Sequence, residues 1–349
     1  MQPRKPRLAI VSPALRQANN GNWRTAYRWS RFLGERFDVD ITGQWTDSAT
    51  PAACMIALHA RRSADAIARF AEAYPDRPLI VVLTGTDLYR DIGVDESARG
   101  SLDRATHLVV LQEAALDELD PNHRRKCRVI FQSAPPLKSG TPPQRTFDVV
   151  LVGHMRAEKD PLTPMRAIVR LPADSTVRLI HIGDALTDEY ARAAAELQAR
   201  TWPSMRRYRW LGGQTHGETR RRIRNASAMV ISSVMEGGAN VIVEAVTCGV
   251  PVIASRISGN VGMLGAGYAG YFAVGNDEEL ARMLDRVGRD RDFLARLTAQ
   301  CAARAPLFEP ARERAEVNRL VDDALEHRSA FGHARDSPGD AKHFGGDRR

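Results

Sequence analysis

Residues 229–254 read MVISSVMEGGANVIVEAVTCGVPVIA, and three structural patterns follow one another in this stretch. The apolar run from Met229 to Ser232 predicts a buried strand, and a polar loop with two glycines comes after it. The run from Val241 to Cys248 predicts a helix, which Gly249 and Pro251 bring to an end. Because a second apolar run begins at Pro251, the stretch predicts a strand–helix–strand unit of a parallel sheet.

The same alternation of apolar and amphipathic runs extends along the chain, as is typical of parallel sheets covered by helices. The other predicted strands are Arg7 to Ser12, Met55 to His59, Leu79 to Thr84, His107 to Leu111, Cys127 to Phe131, Phe147 to Val152, Val177 to Ile182, Arg209 to Leu211 and Pro251 to Ala254. The predicted helices include Trp23 to Glu35, Ser63 to Ala73, Glu278 to Arg286, Asp292 to Arg304 and Ala311 to His327.

The chain is expected to form two domains. Residues 133–145, SAPPLKSGTPPQR, hold four prolines between two strand patterns and predict a linker. A length of 349 residues also exceeds one ordinary core. We therefore expect an α/β protein with two Rossmann-like parallel-sheet domains that face each other across a cleft. The expected divisions are an N-terminal domain at 1–135, the linker at 136–146, a C-terminal domain at 147–310, a helix at 311–328 that can pack back on the N-terminal domain, and a disordered tail at 329–349.

The composition argues against several classes of protein. It is 43% hydrophobic and 26% charged, and no run approaches the ~18 apolar residues of a membrane span. The apolar run Leu8 to Val11 is too short for an export signal. The four cysteines lack metal-ligand spacing, which favours a reducing cytoplasm. The net charge of +8 comes from scattered basic residues, so it favours anionic small molecules over nucleic acid.

Loops at the carboxyl ends of parallel strands are where ligands bind. In the loop after Met229 to Ser232, Gly237 and Gly238 let the backbone approach a ligand, and the helix start beyond them suits a diphosphate. Glu244 lies one turn inside that helix and can point at the same mouth, where a ribose diol can donate to it. The alternative is that Glu236 caps the helix and Glu244 is solvated, but the complete strand–loop–helix context favours a ligand site.

The segment EGGANVIVEA at 236–245, followed by GVPVIA, resembles the retaining nucleotide-sugar glycosyltransferases of family four, which have the GT-B fold. The resemblance implies that Glu236 contacts the donor sugar and Glu244 the ribose. It also implies that the backbone N–H groups of Gly238, Ala239 and Asn240 bind phosphate or sugar oxygens.

A second segment that matches this family is Gly153-His154-Met155-Arg156-Ala157-Glu158-Lys159, directly after a predicted strand. The family has an arginine where His154 stands and a lysine that matches Lys159, and both cations hold the pyrophosphate. Arg156 can supply the missing charge, and a solvated basic turn is the alternative. Cations and a helix start can stabilise a departing diphosphate without a metal.

The N-terminal domain supplies candidates for the acceptor side. Asn20, Gly21 and Asn22 follow the first strand and open a helix, so they either hold an anion or form a plain capped turn. His59, at the end of the next strand, is instead a candidate catalytic residue together with Glu236, Lys159 and Arg156, because related transferases place a histidine beside the donor sugar.

Two further polar residues complete the predicted acceptor side. Arg61 follows His59, and Thr86 lies after another strand on the same side. The acidic triplet Asp38-Val39-Asp40, which other transferases use for a metal, lies at a short strand outside these loops and is interpreted as incidental. We therefore expect no metal and no cofactor, with the nucleotide sugar as a substrate.

Several blocks go beyond the family pattern and resemble the selenosugar synthases of selenoneine biosynthesis. That resemblance implies a retaining transfer of N-acetylglucosamine from UDP-N-acetylglucosamine to selenophosphate, which forms a carbon–selenium bond. The alternatives are transfer to a hydroxyl of a small molecule or lipid, a non-catalytic UDP-sugar or nucleic-acid binder, and a nucleotide-sugar epimerase. The blocks are 57–63, 82–91, 153–161, 233–240 and 255–262.

Overall fold

Two six-stranded parallel sheets make up the framework of the protein. The computed structural model describes residues 4–18, 20–46, 51–138, 140–205 and 207–335. The first sheet contains β1 (Arg7–Val11), β2 (Asp38–Thr42), β3 (Cys54–Leu58), β4 (Leu79–Leu83), β5 (His107–Val110) and β6 (Cys127–Val129). The second contains β7 (Phe147–Val152), β8 (Val177–Ile182), β9 (Tyr208–Trp210), β10 (Ala228–Ile231), β11 (Val252–Ser255) and β12 (Tyr271–Phe272).

Helices cover both sheets. In the N-terminal half they are α1 (Gly21–Leu33), α2 (Ala64–Ala73), α3 (Ile92–Val94), α4 (Glu96–Arg104) and α5 (Pro121–Arg125). In the C-terminal half they are α6 (Leu162–Val169), α7 (Asp188–Met205), α8 (His216–Arg224), α9 (Asn240–Val246), α10 (Ser258–Leu264), α11 (Asp277–Arg289), α12 (Arg291–Arg304) and α13 (Pro310–Arg335). No helix in the described ranges is long and apolar enough to cross a membrane.

The strand order of each sheet creates a crevice at its carboxyl edge. The orders are β2-β1-β3-β4-β5-β6 and β12-β11-β10-β7-β8-β9. In each sheet the chain starts in the interior and later strands add on both sides, so the loops after β1 and β3, and those after β7 and β10, leave in opposite directions. Ligands of open α/β sheets bind where strand order reverses in this way. The prediction of two parallel-sheet domains is confirmed.

The last helix, α13, completes the core of the first domain. Its buried residues Val317, Leu320 and Val321 pack with Trp29 of α1 and the apolar residues of β1. The sheet of the second domain has a separate core. The chain therefore crosses back after α12, and part of the N-terminal core is built from residues more than 280 positions away along the sequence.

The predicted strands are present, with ends displaced by two residues at most. The short edge strand β12 was missed because two residues carry no periodicity. Helix α13 continues to Arg335, so residues 329–335 of the predicted disordered tail are helical instead; residues 336–349 lie outside the described part of the chain. Ser139 of the predicted linker lies outside the described residues, and the backbone N–H of its neighbour Gly140 donates to the Arg224 carbonyl of the second domain.

We expect Val321→Ala to lower the free energy of unfolding by about 2 kcal/mol, because two methyl groups leave a fully buried site on α13. Val94→Ala is the matched control, since Val94 is 78% exposed and its truncation opens no cavity. Urea titrations of both variants measure the difference. Equal unfolding midpoints would contradict the packing of α13 on the first domain.

Candidate active site

A cleft of about 560 Å³ lies between the carboxyl edges of the two sheets. Both domains line the cleft, mainly through the loops at which the strand order of each sheet reverses. The structure therefore brings most of the predicted site residues together around one space. These are Asn20, Gly21, Asn22, His59, Thr86, Gly153, His154, Arg156, Lys159, Glu236, Gly237, Gly238, Ala239, Asn240 and Glu244.

A cation and a carboxylate meet in this cleft. The Lys159 ammonium contacts Glu236 Oε1, although the two residues belong to different loops, after β7 and β10. The loops are tied together because Ser232 Oγ donates to the Lys159 carbonyl at 3.0 Å and Ser233 Oγ donates to Glu236 Oε1. Asp160 then takes a left-handed conformation (φ 41°) that ends the Lys159 turn. The pair is thus held at a defined point of the cleft.

The loop after β10 lies directly against the backbone of the N-terminal domain. A Cβ atom on Gly237 would meet the Thr84 carbonyl oxygen at 2.4 Å, and one on Gly238 would meet Leu111 Cβ at 2.6 Å. Gly85, on the opposite side, has a φ of 146° that side chains rarely adopt. The glycines that the sequence analysis assigned to ligand approach therefore also allow the two domains to touch.

Glu244 forms the end of the cleft that the second domain provides. It is buried (6% exposed) on α9, and His216 Nε2 lies 2.8 Å from its Oε1. The loop in front of α9 has three backbone donors that line the cleft. Within the described residues, the N–H groups of Gly238, Ala239 and Asn240 donate no hydrogen bond. One carboxylate and three N–H groups are thus available to a ligand.

Two more side chains with N–H groups line the same wall. His154 Nδ1 accepts from the backbone N–H of Asp184 at 3.0 Å, which orients its ring, and a proton on that ring is then carried by Nε2. Arg156 is 45% exposed and its Nε lies 3.8 Å from Glu158. Arg156 therefore has side-chain freedom that His154 lacks.

His59 ends β3 in a strained conformation, with φ 72°. Its Nδ1 accepts from Arg62 N at 3.3 Å, so the proton resides on Nε2, which lies 2.9 Å from Thr86 Oγ1. Burial lowers the pKa of His59, more than the nearby Asp87 carboxylate raises it. The ring is therefore neutral at neutral pH and donates to Thr86.

Arg61 was predicted to lie on the acceptor side, but it is not among the residues that line the cleft. Its side chain is half exposed and pairs with Asp95 at 2.7 Å, away from the cleft. Arg62 lines the cleft instead. The chain begins a helical turn at His59, where Ser63 N bonds to its carbonyl, so successive side chains leave in different directions.

Several lining residues were not anticipated from the sequence. Arg24 faces the cleft from α1, and its pKa is lowered by burial, which the negative charge of Glu244 partly offsets. Gln132 donates to the Gly238 carbonyl at 2.9 Å. His216 opens α8 behind the capping residue Thr215. A strand-end position was the signal available for Gln132, whereas Arg24 and His216 lie in helices without a motif.

Comparison with protein families gives one match. Residues 137–304 match the model of the family described as glycosyl transferases group 1. This range contains the loops after β7 and β10, and hence Lys159, Glu236 and Glu244. A comparison of the sequence with curated proteins gives no match.

Solved structures of similar fold cover both domains. HepE of Anabaena, solved in complex with UDP and glucose, is 16% identical with a TM-score of 0.72, over 91% of this chain and 100% of that one. Sucrose-phosphate synthase of Thermosynechococcus elongatus is 16% identical with a TM-score of 0.73, over 95% and 100%. TarM of S. aureus, in a complex with fondaparinux, α-GlcNAc-glycerol and UDP, is 15% identical with a TM-score of 0.59, over 78% and 55%.

Two parallel-sheet domains around a shared cleft define the GT-B fold, and the similar structures have the same architecture. Residues 137–304 match the model of the glycosyl transferases group 1 family, and the chain has the GT-B fold. The match supports the predicted class of glycosyltransferase. The prediction of the fold is confirmed, while the roles of individual site residues stay predictions.

His181, which lies beneath the loop of Gly153, makes the stability of the protein depend on pH. Burial lowers the pKa of His181 to about 4, and its Nδ1 lies 3.0 Å from Tyr208 Oη. The folded protein keeps this ring neutral, while the unfolded chain binds a proton below about pH 6.5. Stability from this group is therefore present above pH 6.5 and is lost as the pH falls towards 4.

The free energy of unfolding should fall between pH 7 and pH 5 in both the natural protein and His181→Phe. We expect the loss to be about 2 kcal/mol larger in the natural protein. The variant removes the titrating ring, and carboxylates elsewhere contribute equally to both proteins. Urea titrations at the two pH values measure the difference. Parallel losses in the two proteins would disprove the neutral buried ring.

Proposed function

We propose that the protein is a retaining glycosyltransferase that moves N-acetylglucosamine from UDP-N-acetylglucosamine to selenophosphate. The contact between Lys159 and Glu236 carries the donor half of this proposal. A cation that binds diphosphate and a carboxylate that binds sugar hydroxyls are needed on either side of the bond that breaks. Because the two groups lie side by side in the cleft, we assign the anomeric carbon and its leaving oxygen to the space next to them.

The nucleoside end of the donor is assigned to Glu244. Its carboxylate is buried beside His216, and both residues line the cleft. Hydrogen bonds from ribose hydroxyls to a desolvated carboxylate are favourable because they replace lost water contacts. The HepE complex contains UDP and glucose, and the TarM complex contains UDP and α-GlcNAc-glycerol. Both structures have a similar fold and support a UDP-sugar donor, and the TarM complex is the one that is consistent with an N-acetylhexosamine.

The diphosphate is assigned to the space between Lys159 and the loop in front of α9. The N–H groups of Gly238, Ala239 and Asn240 can donate to phosphate oxygens. Arg156 and His154 add further donors from the loop after β7, on the same side of the cleft. These groups are fixed before the reaction, so they stabilise the charge that develops on departing UDP with little reorganisation.

The acceptor side is assigned to the wall of the N-terminal domain. Arg24 and Arg62 line this wall together with Asn20, Asn22 and Thr86, and this combination suits a small anion. Selenophosphate has that chemistry and is already anionic at selenium, so its attack requires no general base. This assignment replaces Arg61 by Arg62 and otherwise rests on the resemblance of the sequence blocks to selenosugar synthases.

The reaction is a front-face substitution. Selenium of selenophosphate supplies the electron pair that forms the C1–Se bond, and the C1–O bond to UDP breaks on the same face, with retention at the anomeric carbon. UDP leaves with the electron pair of that bond. Water then cleaves the Se–P bond of the product and releases phosphate and the selenosugar.

We expect the purified protein to produce a selenium-containing N-acetylglucosamine derivative and one UDP per turnover when it receives both substrates. Mass spectrometry detects the product by the isotope pattern of selenium. Thiophosphate and glycerol, in separate reactions, serve as a sulfur and a hydroxyl acceptor. If UDP release occurs only with a hydroxyl acceptor, the protein is an ordinary family-four transferase and the selenium assignment is wrong.

Two substitutions separate the diphosphate and nucleoside subsites. Lys159→Met is expected to weaken UDP binding about thirtyfold and leave uridine binding unchanged, because its cation contacts phosphate. Glu244→Gln is expected to weaken both ligands about tenfold. Calorimetry measures the four dissociation constants.

The matched control is Lys138→Met, which removes an exposed lysine in the linker. It is expected to bind both ligands as the natural protein does. A Lys159→Met variant with normal UDP affinity would show that the diphosphate lies elsewhere.

A further inference from the structure

We propose that Gln132 is a positioning residue that ties the donor loop to the N-terminal domain, and that Arg28 and Glu313 of the returning helix α13 hold its amide in place. This inference rests on the proposed donor site. It concerns a different set of residues, none of which was assigned from the sequence.

Gln132 spans the boundary between the domains. It is 2% exposed, and its Nε2 donates to the Gly238 carbonyl at 2.9 Å. Gly238 belongs to the loop in front of α9 whose N–H groups are assigned to the donor. The orientation of that peptide plane therefore depends on a side chain of the opposite domain.

The amide of Gln132 has one orientation available. Its Oε1 accepts from Arg28 Nη2 at 3.3 Å and lies 3.2 Å from Thr25 Oγ1, whose single proton can also be donated to the Gly21 carbonyl. If the amide were turned over, its NH₂ group would face the Arg28 guanidinium and its oxygen would face the Gly238 carbonyl. The hydrogen bonds to Arg28 and Gly238 would be lost together, so the NH₂ group is directed at Gly238.

Arg28 is itself held by a buried carboxylate. Glu313 of α13 is 1% exposed and accepts from Arg28 Nε at 2.6 Å and from Arg28 Nη2 at 2.9 Å. It also accepts from Trp29 Nε1 at 2.8 Å and from the backbone N–H of Ser133, next to Gln132, at 2.8 Å. A fully bonded carboxylate of this kind fixes its partners closely, because each lost contact leaves a buried charge unsatisfied.

The contacts form a continuous path from α13 through Arg28 and Gln132 to the donor loop. With this path intact, closing the cleft orients the N–H groups of the loop towards the diphosphate. An open cleft would separate Gln132 from Gly238 and release the peptide plane. Donor binding and domain closure are therefore coupled through one amide side chain.

Gln132→Glu selectively tests the hydrogen bond from Gln132 to the Gly238 carbonyl. It keeps an oxygen for Thr25 and Arg28, but it replaces the donor to Gly238 by a second oxygen. We expect its dissociation constant for UDP to rise about tenfold, with the calorimetric stoichiometry unchanged. We also expect the KM for UDP-N-acetylglucosamine to rise while the KM for selenophosphate stays the same.

Stoichiometry separates positioning from a fault in folding. A variant that is partly unfolded binds fewer equivalents of UDP with normal affinity, and its kcat falls at constant KM. Normal UDP affinity in Gln132→Glu would overturn the proposal. Gln132→Met, which removes both halves of the amide, is a second variant and is expected to behave like Gln132→Glu.

The far end of the path has a matched control. Glu313→Gln is expected to weaken UDP binding about fivefold, while Asp322→Asn, which breaks the exposed pair between α13 and Arg36 of the turn after α1, is expected to leave it unchanged. If both variants or neither weaken UDP binding, α13 does not act through Arg28. Absence of UDP binding by the natural protein would refute the proposed donor and this inference with it, whereas normal binding in every variant would refute this inference alone.

Discussion

The contact between the Lys159 ammonium and the Glu236 carboxylate places opposite charges from two neighbouring loops at one point of the cleft. Each loop follows a central strand of the second sheet, β7 or β10, and these strands are neighbours because the chain begins in the middle of that sheet. Opposite charges in a partly desolvated cleft attract more strongly than in water. The strand order therefore creates the place for this pair, and the pair in turn fixes the place where charge can be stabilised.

Close backbone approach is the second constraint, and it explains the glycines. The loop after β10 must leave its N–H groups open to the cleft while it contacts the N-terminal domain. Any side chain at Gly237 would collide with the carbonyl of Thr84. A Cβ atom on Gly259 would lie 1.9 Å from the Glu236 carbonyl oxygen. Glycine is thus required on both sides of the loop by packing, in addition to any ligand. One motif serves the domain boundary and the candidate donor site.

The sequence predicted the framework and the C-terminal wall of the cleft because both depend on local patterns. Strand periodicity identified the sheets. Lys159 and Glu236 lie in loops that follow strands, and Glu244 lies in the first turns of the helix after the second loop. Arg61 was assigned to the cleft, but the direction of its side chain depends on the left-handed conformation of His59. No neighbouring residue in the sequence indicates that conformation. Gln132 was missed because its partners, Thr25, Arg28 and Gly238, are more than 100 residues away.

These differences follow from the way each wall is built. The wall assigned to the donor is formed by backbone groups and by side chains of two short loops. Its chemistry is therefore determined by short, contiguous stretches of sequence. The opposite wall uses single side chains, such as Arg24 and Arg62, that project from different elements. Such side chains can change without disturbing a strand or a loop, which lets one fold accept many nucleophiles. The donor can therefore be inferred from the fold and its loops, while the acceptor has to be inferred from the charge of individual side chains that face the cleft.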